Sequence, residues 1–557
     1  MSGGAERSGL LLAAVWLAVA LHGLGDADVV GDDEAREVGI VQAIVAGDRW
    51  LPRFNGELLP DKPILAHWLA AVPVAAAGFS EAAVRLPSAV AAAATVAWTA
   101  RFGAELAGVR VGLLAAALLA GTPAFFGRAR VARPDALLVL LLSVALGLAF
   151  RWWRDGRRRD ARWALVALGA ATLAKGPVAP ALFTLAFGGF LGWQRDLRRL
   201  PAFLDPLGTG IFLVLGLGWY VVALTGWGDA FVREHLVGRY VFNLIGDLPE
   251  GGRYSERPLA WHALFYVIHL PLIGLPWSPL AAAGLWAAWR ADRFRDPRLR
   301  FLVCWMLAPV VAFTPAQYKL RYYLLPALPA LALLGAPVAV RLWHAPPSGR
   351  RGPAALAVGL TAALAVAGLL ALAWRHDALA RSDRSTVEAL ASALPGAVPG
   401  LVAVGAVVAG LLAAAIAAHA WRPLLVAVAL AMIGWLVAGS PALERQTSRR
   451  DSLKAFATAV AAHVPAEQAL AFFNEPIRSV VVYSGRTIPT ARRRADLVPG
   501  TTLIVRGAAY RRLARAGVVG RPLLAARGRT GNVARERVFL VNVLDVPPPS
   551  AQLKEKR

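Results

Sequence analysis

The sequence predicts an all-α polytopic membrane protein with about 13 transmembrane helices and a small C-terminal α/β domain. The 557 residues are 57% hydrophobic, and the mean hydropathy is +0.53. Repeated apolar runs of about 18 or more residues are long enough to cross a bilayer as helices. The composition changes after Gly439, where short apolar runs alternate with polar stretches. We therefore expect a membrane domain at 1–440, with an outer loop at 26–82, and a separate domain at 441–557.

The spans follow from the apolar runs in chain order. Residues 10–24 are expected to form a retained first span and not a cleaved signal peptide, because no small-residue cleavage site follows them. The fifth span is short and hard to separate from the sixth. We expect spans to begin near Leu10, Ala83, Val109, Pro134, Trp163, Pro177, Leu207, Ala263, Phe301, Tyr322, Ala354, Leu401 and Pro423.

The loops between these spans differ in charge. Four arginine-rich loops, at 151–162, 195–199, 290–300 and 341–351, fall on one side. Such loops stay in the cytoplasm. The opposite loops (25–82, 128–133, 175–176, 226–262, 314–321 and 375–398) and the C-terminal domain then face outward. We attribute the net charge of +25 mainly to the cytoplasmic loops, so no nucleic-acid partner is expected.

The C-terminal segment is predicted to contain both strands and helices. Apolar runs at 469–473, 479–483, 502–505 and 538–543 predict strands. The stretches 449–464 and 508–516 have helical periodicity. We expect a small extracytoplasmic α/β domain, with a frayed tail from Pro547.

Carboxylates cluster in the first outer loop. Asp33 and Glu34 follow the first span, and Asp61 precedes Lys62. Asp135 begins the fourth span. Ionisable groups at a membrane boundary are costly to bury and are functional candidates, whereas we expect Glu37, Asp48 and Glu57 to be solvated loop charges.

Lysine is rare in this chain. Only six of the 60 basic residues are lysines, and the three in the membrane region, Lys62, Lys175 and Lys319, all fall at outer-face ends of spans. A lysine is a compact point charge that suits a phosphate. Snorkelling to the interface is the other explanation, but arginine would serve equally well there. The pattern favours a lysine-lined anion pocket.

Metal and nucleotide motifs are few. His235 and His262 lie in the large loop before the eighth span, and either could bind a metal with Asp61. No HExxH, CxxC pair, Walker loop or GxGxxG motif is present, so no nucleotide cofactor is expected. The single cysteine, Cys304, excludes a disulfide framework within the chain.

An ordered set of motifs runs through the chain: Asp33-Glu34-Ala35-Arg36, Gly47 to Pro52, Asn55-Gly56, Asp61-Lys62-Pro63 with Trp68, Arg85 to Ser88, Arg130 to Asp135, Lys175-Gly176, Pro276-Trp277 and Lys319 to Pro326. This set resembles that of the membrane-embedded polyprenyl-phosphate-sugar glycosyltransferases of the GT-C fold. The resemblance is to the branch with the lipid A aminoarabinose transferase and the bacterial protein-mannosyltransferase-like enzymes. Two positions depart from the family pattern: Ile64 follows Pro63, and His67 stands where an aromatic residue usually precedes Trp68.

The resemblance implies a reaction and a set of roles. Such enzymes take a sugar from a polyprenyl monophosphate at the outer face of the inner membrane, invert the anomeric carbon, and deliver the sugar to a lipid, protein or glycan acceptor. Asp33, with Glu34 and Asp135, would supply the catalytic carboxylates. A divalent metal would sit at Asp61 and His262. The donor phosphate would be held by Arg36, Lys62, Lys319, Arg321, Tyr322 and Tyr323.

Two other functions remain open. A lipid-linked sugar flippase or transporter would also carry intramembrane charges and broken helices. Against it, the halves show no internal repeat and the charges gather at one membrane face. A non-catalytic envelope-assembly protein would not need the carboxylate–lysine set.

Overall fold

The computed structural model describes residues 2–59, 62–233, 259–316, 319–344, 421–530 and 535–544. The predicted spans from Ala354 and Leu401, together with Asp61 and His235, lie outside these ranges. Short π or 3-10 turns extend some helices, notably at Thr184–Gly188, Arg321–Ala327 and Trp435–Gly439. The described helices are α1 (Ser2–Leu21), α2 (Asp32–Ala46), α3 (Leu65–Ala77), α4 (Glu81–Ala107), α5 (Val109–Ala120), α6 (Pro123–Ala129), α7 (Asp135–Asp155), α8 (Arg158–Lys175), α9 (Val178–Phe183), α10 (Gly189–Gln194), α11 (Leu200–Phe203), α12 (Pro206–Trp227), α13 (Asp229–Phe231), α14 (Leu259–Ile273), α15 (Ser278–Arg290), α16 (Pro297–Phe313), α17 (Leu328–His344), α18 (Trp421–Gly434), α19 (Ser440–Asp451), α20 (Lys454–His463), α21 (Arg478–Ser484) and α22 (Gly507–Arg515).

The all-α membrane architecture is confirmed, while the number of spans stays a prediction. Within the described ranges, five helical segments are long and apolar enough to cross a membrane, or seven if each of two bent pairs is one span. In the first bent pair, α5 and α6 meet at 69°. In the second, the Trp261–Ile273 part of α14 meets α15 at 107°. The predicted third and eighth spans are therefore broken helices and not straight ones.

The chain divides into two compact units. The first comprises the described parts of Met1–Ala20, Ala89–Ala129 and Asp135–Ala438. The second comprises those of Leu21–Ser88, Arg130–Pro134 and Gly439–Arg557. The first outer loop and the C-terminal segment thus belong to one compact unit, although more than 350 residues separate them along the chain.

Close helix packing and aromatic side chains hold the first unit together. A Cβ on Gly112 of α5 would lie 2.2 Å from the carbonyl oxygen of Ala100, so only glycine allows α4 and α5 to approach this closely. Phe102, Phe150, Phe301 and Trp305 form a buried cluster with ring centroids 4.7–6.3 Å apart. Aromatic pairs at these distances add packing energy beyond the area they bury.

A five-stranded mixed sheet organises the C-terminal part of the second unit. Its strand order is β4-β3-β5-β7-β6. β3 pairs in parallel with β4 and β5, and β7 pairs antiparallel with β5 and β6. α22 covers one face, where Leu513 packs with Leu503, Val505 and Val541. The strands are β1 (Arg53–Phe54), β2 (Glu57–Leu58), β3 (Leu470–Phe473), β4 (Thr490–Ala491), β5 (Thr502–Arg506), β6 (Leu524–Arg529) and β7 (Arg535–Asn542).

The α/β domain is confirmed, but one of its predicted elements is wrong and another is interrupted. Residues 479–483 form part of helix α21 and not a strand. Their three consecutive valines favour a strand by propensity, yet all three are buried in this helix, and packing overrides propensity in so short an apolar run. The predicted helix 449–464 is interrupted between α19 and α20 at Ser452, whose hydroxyl accepts from the backbone N–H of Lys454 at 3.0 Å.

The outer loop folds onto this domain through a hairpin and two helices. Asn55 (φ 56°) and Gly56 (φ 80°) are left-handed and close the turn between β1 and β2, as an Asn-Gly hairpin turn requires. The Asn55 amide both donates to the carbonyl of Ile488 and accepts from its N–H, each at 2.7 Å. The Asn-Gly motif therefore ties the loop to residues beside β4.

Candidate active site

The predicted site residues fall into two groups, and Asp33 belongs to the first. It lies in the first turn of α2. Its carboxylate accepts from Arg133 Nη1 at 2.6 Å and lies 3.5 Å from Arg36 Nη2. Burial alone would raise the pKa of Asp33, but the charges of Arg133 and Arg36 outweigh it and lower the pKa below its usual value. Its side chain is still 27% exposed. Asp33 is thus an ionised carboxylate that a substrate can reach.

The carboxylate of Glu34, the next residue, is occupied by hydrogen bonds within the protein. Its oxygens accept from Arg85 Nε at 2.8 Å and Arg85 Nη2 at 3.2 Å, and from the backbone N–H of Ala132 at 3.0 Å. Arg85 also donates to the carbonyls of Leu24 and Ala27. Both side chains are buried. This geometry favours a positioning role for Glu34, and the predicted catalytic role finds no support in it.

Glu37 is not the solvated loop charge we expected, because it lies at the centre of a buried cluster. It is 3% exposed. Its Oε1 accepts from Lys62 Nζ, and from Arg36 Nη2 at 3.1 Å, while its Oε2 lies 2.7 Å from His67 Nε2. Burial would raise the pKa of Glu37, but Lys62, Arg36 and the hydrogen bond with His67 hold it well below its usual range.

These residues form one connected network in the second unit, which we call the outer-loop cluster: Asp33, Arg36, Glu37, Lys62, His67 and Arg133. With His67 neutral, its three cations exceed its two carboxylates by one charge. An excess positive charge at a partly buried position favours an anion. Lysine carries three donor hydrogens, so Lys62 can hold Glu37 and a second acceptor together.

The first unit holds the second group of predicted residues. Asp135, 2% exposed, pairs with Lys175 at the end of α8. The Lys175 ammonium lies 5.8 Å from the centroid of the Tyr323 ring, and the Arg128 guanidinium lies 4.2 Å from that of Tyr322. The two tyrosines meet edge to face at 5.4 Å. Asp135, Tyr322 and Tyr323 thus stand among cations.

Lys319 and Arg321 have different surroundings from each other. Lys319 is 1% exposed, and its ammonium donates to the carbonyls of Thr314 and, at 3.1 Å, Phe313. It caps the C-terminus of α16, where a cation is favoured by the helix dipole. This geometry favours a cap over the predicted phosphate contact. Arg321 is exposed, and its phosphate-binding role stays a prediction.

The metal site also stays a prediction. His262 lies buried in α14, and Asp61 falls outside the described residues. Within the ranges that the structure describes, no three His, Cys, Asp or Glu side chains gather as a metal site.

Three contributors were not singled out from the sequence: Glu37, His67 and Arg133. The signal for Glu37 was present, because a carboxylate one residue after Arg36 on a helix can accept from it. His67 was noted only as a departure before Trp68. Arg133 stands in a recognised motif, but its pairing with Asp33 requires contact between residues 100 positions apart.

The comparisons with known proteins agree with this architecture. The family model of dolichyl-phosphate-mannose-protein mannosyltransferases matches residues 61–220. An undecaprenyl phosphate-alpha-4-amino-4-deoxy-L-arabinose arabinosyl transferase from Pseudomonas paraeruginosa is 31% identical over 355 residues, which cover 62% of this chain and 61% of that protein. One from Sodalis glossinidius is 28% identical over 318 residues, covering 54% and 53%. The chain thus matches about three fifths or less of the length of these relatives.

The solved structure of another protein aligns with nearly the whole of this chain. The crystal structure of ArnT from Cupriavidus metallidurans bound to undecaprenyl phosphate superposes with a TM-score of 0.69 and 20% identity, covering 97% of this chain and 98% of that one. The chain is therefore a polytopic membrane protein of the GT-C fold. Within that class its sequence is similar to those of the Pseudomonas and Sodalis arabinosyl transferases.

Proposed function

We propose that this protein is an integral-membrane, inverting glycosyltransferase. It transfers a sugar from a polyprenyl-phosphate donor to a lipid, protein or glycan acceptor at the extracytoplasmic face of the bacterial inner membrane. The observation that carries the proposal is the outer-loop cluster, in which an accessible ionised carboxylate, Asp33, shares one network with Arg36 and Lys62. The names of the relatives point to an undecaprenyl-phosphate-linked sugar as the donor.

The proposed chemistry assigns one step to each part of the cluster. An acceptor oxygen attacks the anomeric carbon, the bond from that carbon to the phosphate oxygen breaks, and the polyprenyl phosphate leaves with the electron pair. Arg36 and Lys62 stabilise the negative charge that grows on the leaving phosphate. Asp33 orients the acceptor and takes its proton where it carries one. Because the pKa of Asp33 is low, it acts mainly through charge and orientation.

The test is a transfer assay with the reconstituted full chain. The wild-type protein, Asp33→Asn and the control Asp48→Asn are each incubated with a panel of radiolabelled polyprenyl-phosphate sugars and a membrane-lipid extract. Asp48 is a carboxylate of the same loop whose side chain is 48% exposed. We expect Asp33→Asn to lower transfer on the order of 10²-fold, as loss of the group that orients a reactant does, and Asp48→Asn to leave it unchanged.

Two outcomes would contradict the proposal. Equal transfer by the wild type and Asp33→Asn would remove the cluster from catalysis. Intact donor binding without transfer or donor hydrolysis across the panel would instead favour the flippase.

A further inference from the structure

We expected the positive charge of this chain to lie mainly in the cytoplasmic loops. About half of it lies instead in the C-terminal segment. Residues 441–557 contain 21 basic and 8 acidic residues. This segment therefore holds 13 of the 25 net positive charges. The positive-inside rule concerns short loops next to spans and does not require basic charge in a folded domain. The excess in the C-terminal domain needs a separate explanation.

Part of this charge is gathered on the sheet face that α22 covers. The β6–β7 ladder places Arg527 directly opposite Arg537, and both side chains are exposed. Arg537 shares its face of β7 with Phe539, whose ring lies 4.6 Å from that of Tyr510 in α22. Side chains two apart on a strand point to the same face. The two strand arginines therefore lie on the face of the sheet that α22 covers.

α22 adds arginines to the same face. Arg511 and Arg515 are exposed and lie four residues apart on one side of the helix, opposite buried Leu513 and Ala509. A Cβ built on Gly507 would lie 3.6 Å from Arg537 Cβ and 3.8 Å from Arg511 Nη1, so helix and strand arginines are close neighbours. We call Arg511, Arg515, Arg527 and Arg537 the arginine face.

The arrangement opposes folding stability. Like charges directly opposite on a ladder are destabilising, and so are like charges four residues apart on a helix. No described carboxylate lies within ion-pairing distance of Arg511, Arg515 or Arg537. By contrast, Arg478, Arg506 and Arg529 in the same domain each pair with an acid. An anionic partner would relieve the repulsion on the arginine face.

We propose that the arginine face binds the phosphate groups of anionic lipid headgroups. Arginine donates two parallel hydrogen bonds to phosphate oxygens, which a lysine cannot do. The domain follows a candidate membrane span in the sequence without a long linker, so a lipid surface is its most abundant phosphate-bearing neighbour. This binding is separate from the outer-loop cluster and does not depend on sugar transfer.

The test measures vesicle binding by the full chain. The protein is placed in nanodiscs of neutral phosphatidylcholine and floated with vesicles of phosphatidylcholine alone or with added phosphatidylglycerol. Excess inorganic phosphate, against chloride of equal ionic strength, distinguishes a lipid surface from free phosphate as the ligand. The variants are Arg511→Gln with Arg537→Gln, and the matched control Arg492→Gln with Arg494→Gln, two exposed arginines of the same domain outside this face.

We expect binding of the wild type only to the anionic vesicles. Each basic residue near an anionic surface strengthens binding roughly fivefold, so the Arg511/Arg537 variant should bind on the order of 25-fold more weakly. The control should bind like the wild type. Arg511→Lys with Arg537→Lys keeps the charge but loses the paired hydrogen bonds, so it should bind more weakly than the wild type and more tightly than the glutamine variant. The unfolding midpoint of the glutamine variant should stay equal or rise, because a repulsion is removed.

Three results would overturn the proposal. The first is equal binding by the Arg511/Arg537 variant and the wild type. The second is an equal loss in the Arg492/Arg494 control, since diffuse charge would then suffice. The third is specific competition by inorganic phosphate beyond the chloride effect, which would indicate a free phosphate ligand in place of a lipid surface.

Discussion

At the scale of single residues, the outer-loop cluster shows how a buried carboxylate can prepare cations for an anionic substrate. Glu37 holds both Lys62 and Arg36 through one oxygen and meets His67 through the other. Burying charges is costly unless they are paired and hydrogen-bonded. In the proposed reaction, the same pairing would orient the two cations before the donor phosphate binds. Three predictions follow from individual side chains of this cluster and its surroundings.

Lys62→Ala should weaken donor binding and leave acceptor binding unchanged. Charge-assisted hydrogen bonds contribute about 1.5–3 kcal/mol, so the donor KM should rise on the order of 10–100-fold, as measured by varying donor and acceptor separately. Arg53→Ala is the matched control, because Arg53 is a basic residue of the same loop whose side chain is 38% exposed. An equal loss for donor and acceptor would count against a phosphate role for Lys62.

Glu37→Gln should destabilise the second unit and alter its acid sensitivity. Removing one partner of a buried ion pair costs about 3–5 kcal/mol. The folded-state pKa of Glu37 lies below its unfolded value of 4.5, so its stabilisation is complete above that pH and is lost as the pH falls through the folded pKa. Thermal unfolding from pH 7 to 3 should therefore show a shallower acid loss in the variant. Glu57→Gln is the control, because Glu57 is exposed, and its unfolding profile should match that of the wild type. If the pH profile of Glu37→Gln also matches the wild type, Glu37 does not stabilise the outer-loop cluster.

Tyr483→Phe should loosen the contact between α21 and the outer loop. The Tyr483 hydroxyl accepts from the backbone N–H of buried Val29 at 2.6 Å and donates to Glu81 at 2.9 Å. Lys454 still donates to Glu81 at 2.7 Å, but the Val29 N–H loses its acceptor, and leaving a buried donor unsatisfied costs about 1–3 kcal/mol, so the unfolding midpoint should fall. Tyr510→Phe, for which the structure shows ring packing, is the matched control and should have a smaller effect.

At the scale of secondary-structure elements, α2 positions the cluster. Asp32, Asp33 and Glu34 occupy its first turn, where carboxylates are favoured by the helix dipole. Arg36 and Glu37 follow one turn later, facing α3, which supplies His67. On the other side, Arg478 of α21 pairs with Asp32, and Gln42 donates to the carbonyl of Val482 at 3.2 Å. α2 is thus held by the loop and by the C-terminal domain together.

At the scale of the whole molecule, the compact second unit changes what the C-terminal domain is expected to do. From its predicted outward side alone, the domain is expected to shape acceptor access, and that role stays a prediction. The structure shows, in addition, that Asn55, Asp32 and Glu81 of the outer loop all bond to residues beyond 450. The domain therefore supports the loop that carries Asp33 and Lys62.

Deletion of 441–557 should accordingly abolish donor binding as well as transfer. The outer loop would lose its contacts with α21, the Ile488 backbone and Lys454, so the cluster would lose its support. Donor binding by the truncated chain, reconstituted beside the full chain, gives the measurement. If the truncated chain binds donor normally and loses only acceptor use, the domain serves the acceptor and not the loop.

The sequence by itself determined the membrane class, the positions of several long apolar helices and the α/β character of the tail, and it placed the candidate residues Asp33, Arg36 and Lys62 in one outer loop. These depend on composition, on periodicity and on motifs that lie close together in the chain. Only the tertiary structure decided that Glu37 and His67 are buried with Lys62, that Arg133 pairs with Asp33, and that residues 479–483 form a helix. Each of these outcomes depends on contacts between distant segments, which change the dielectric surroundings and packing of a side chain in ways that its sequence neighbours do not record.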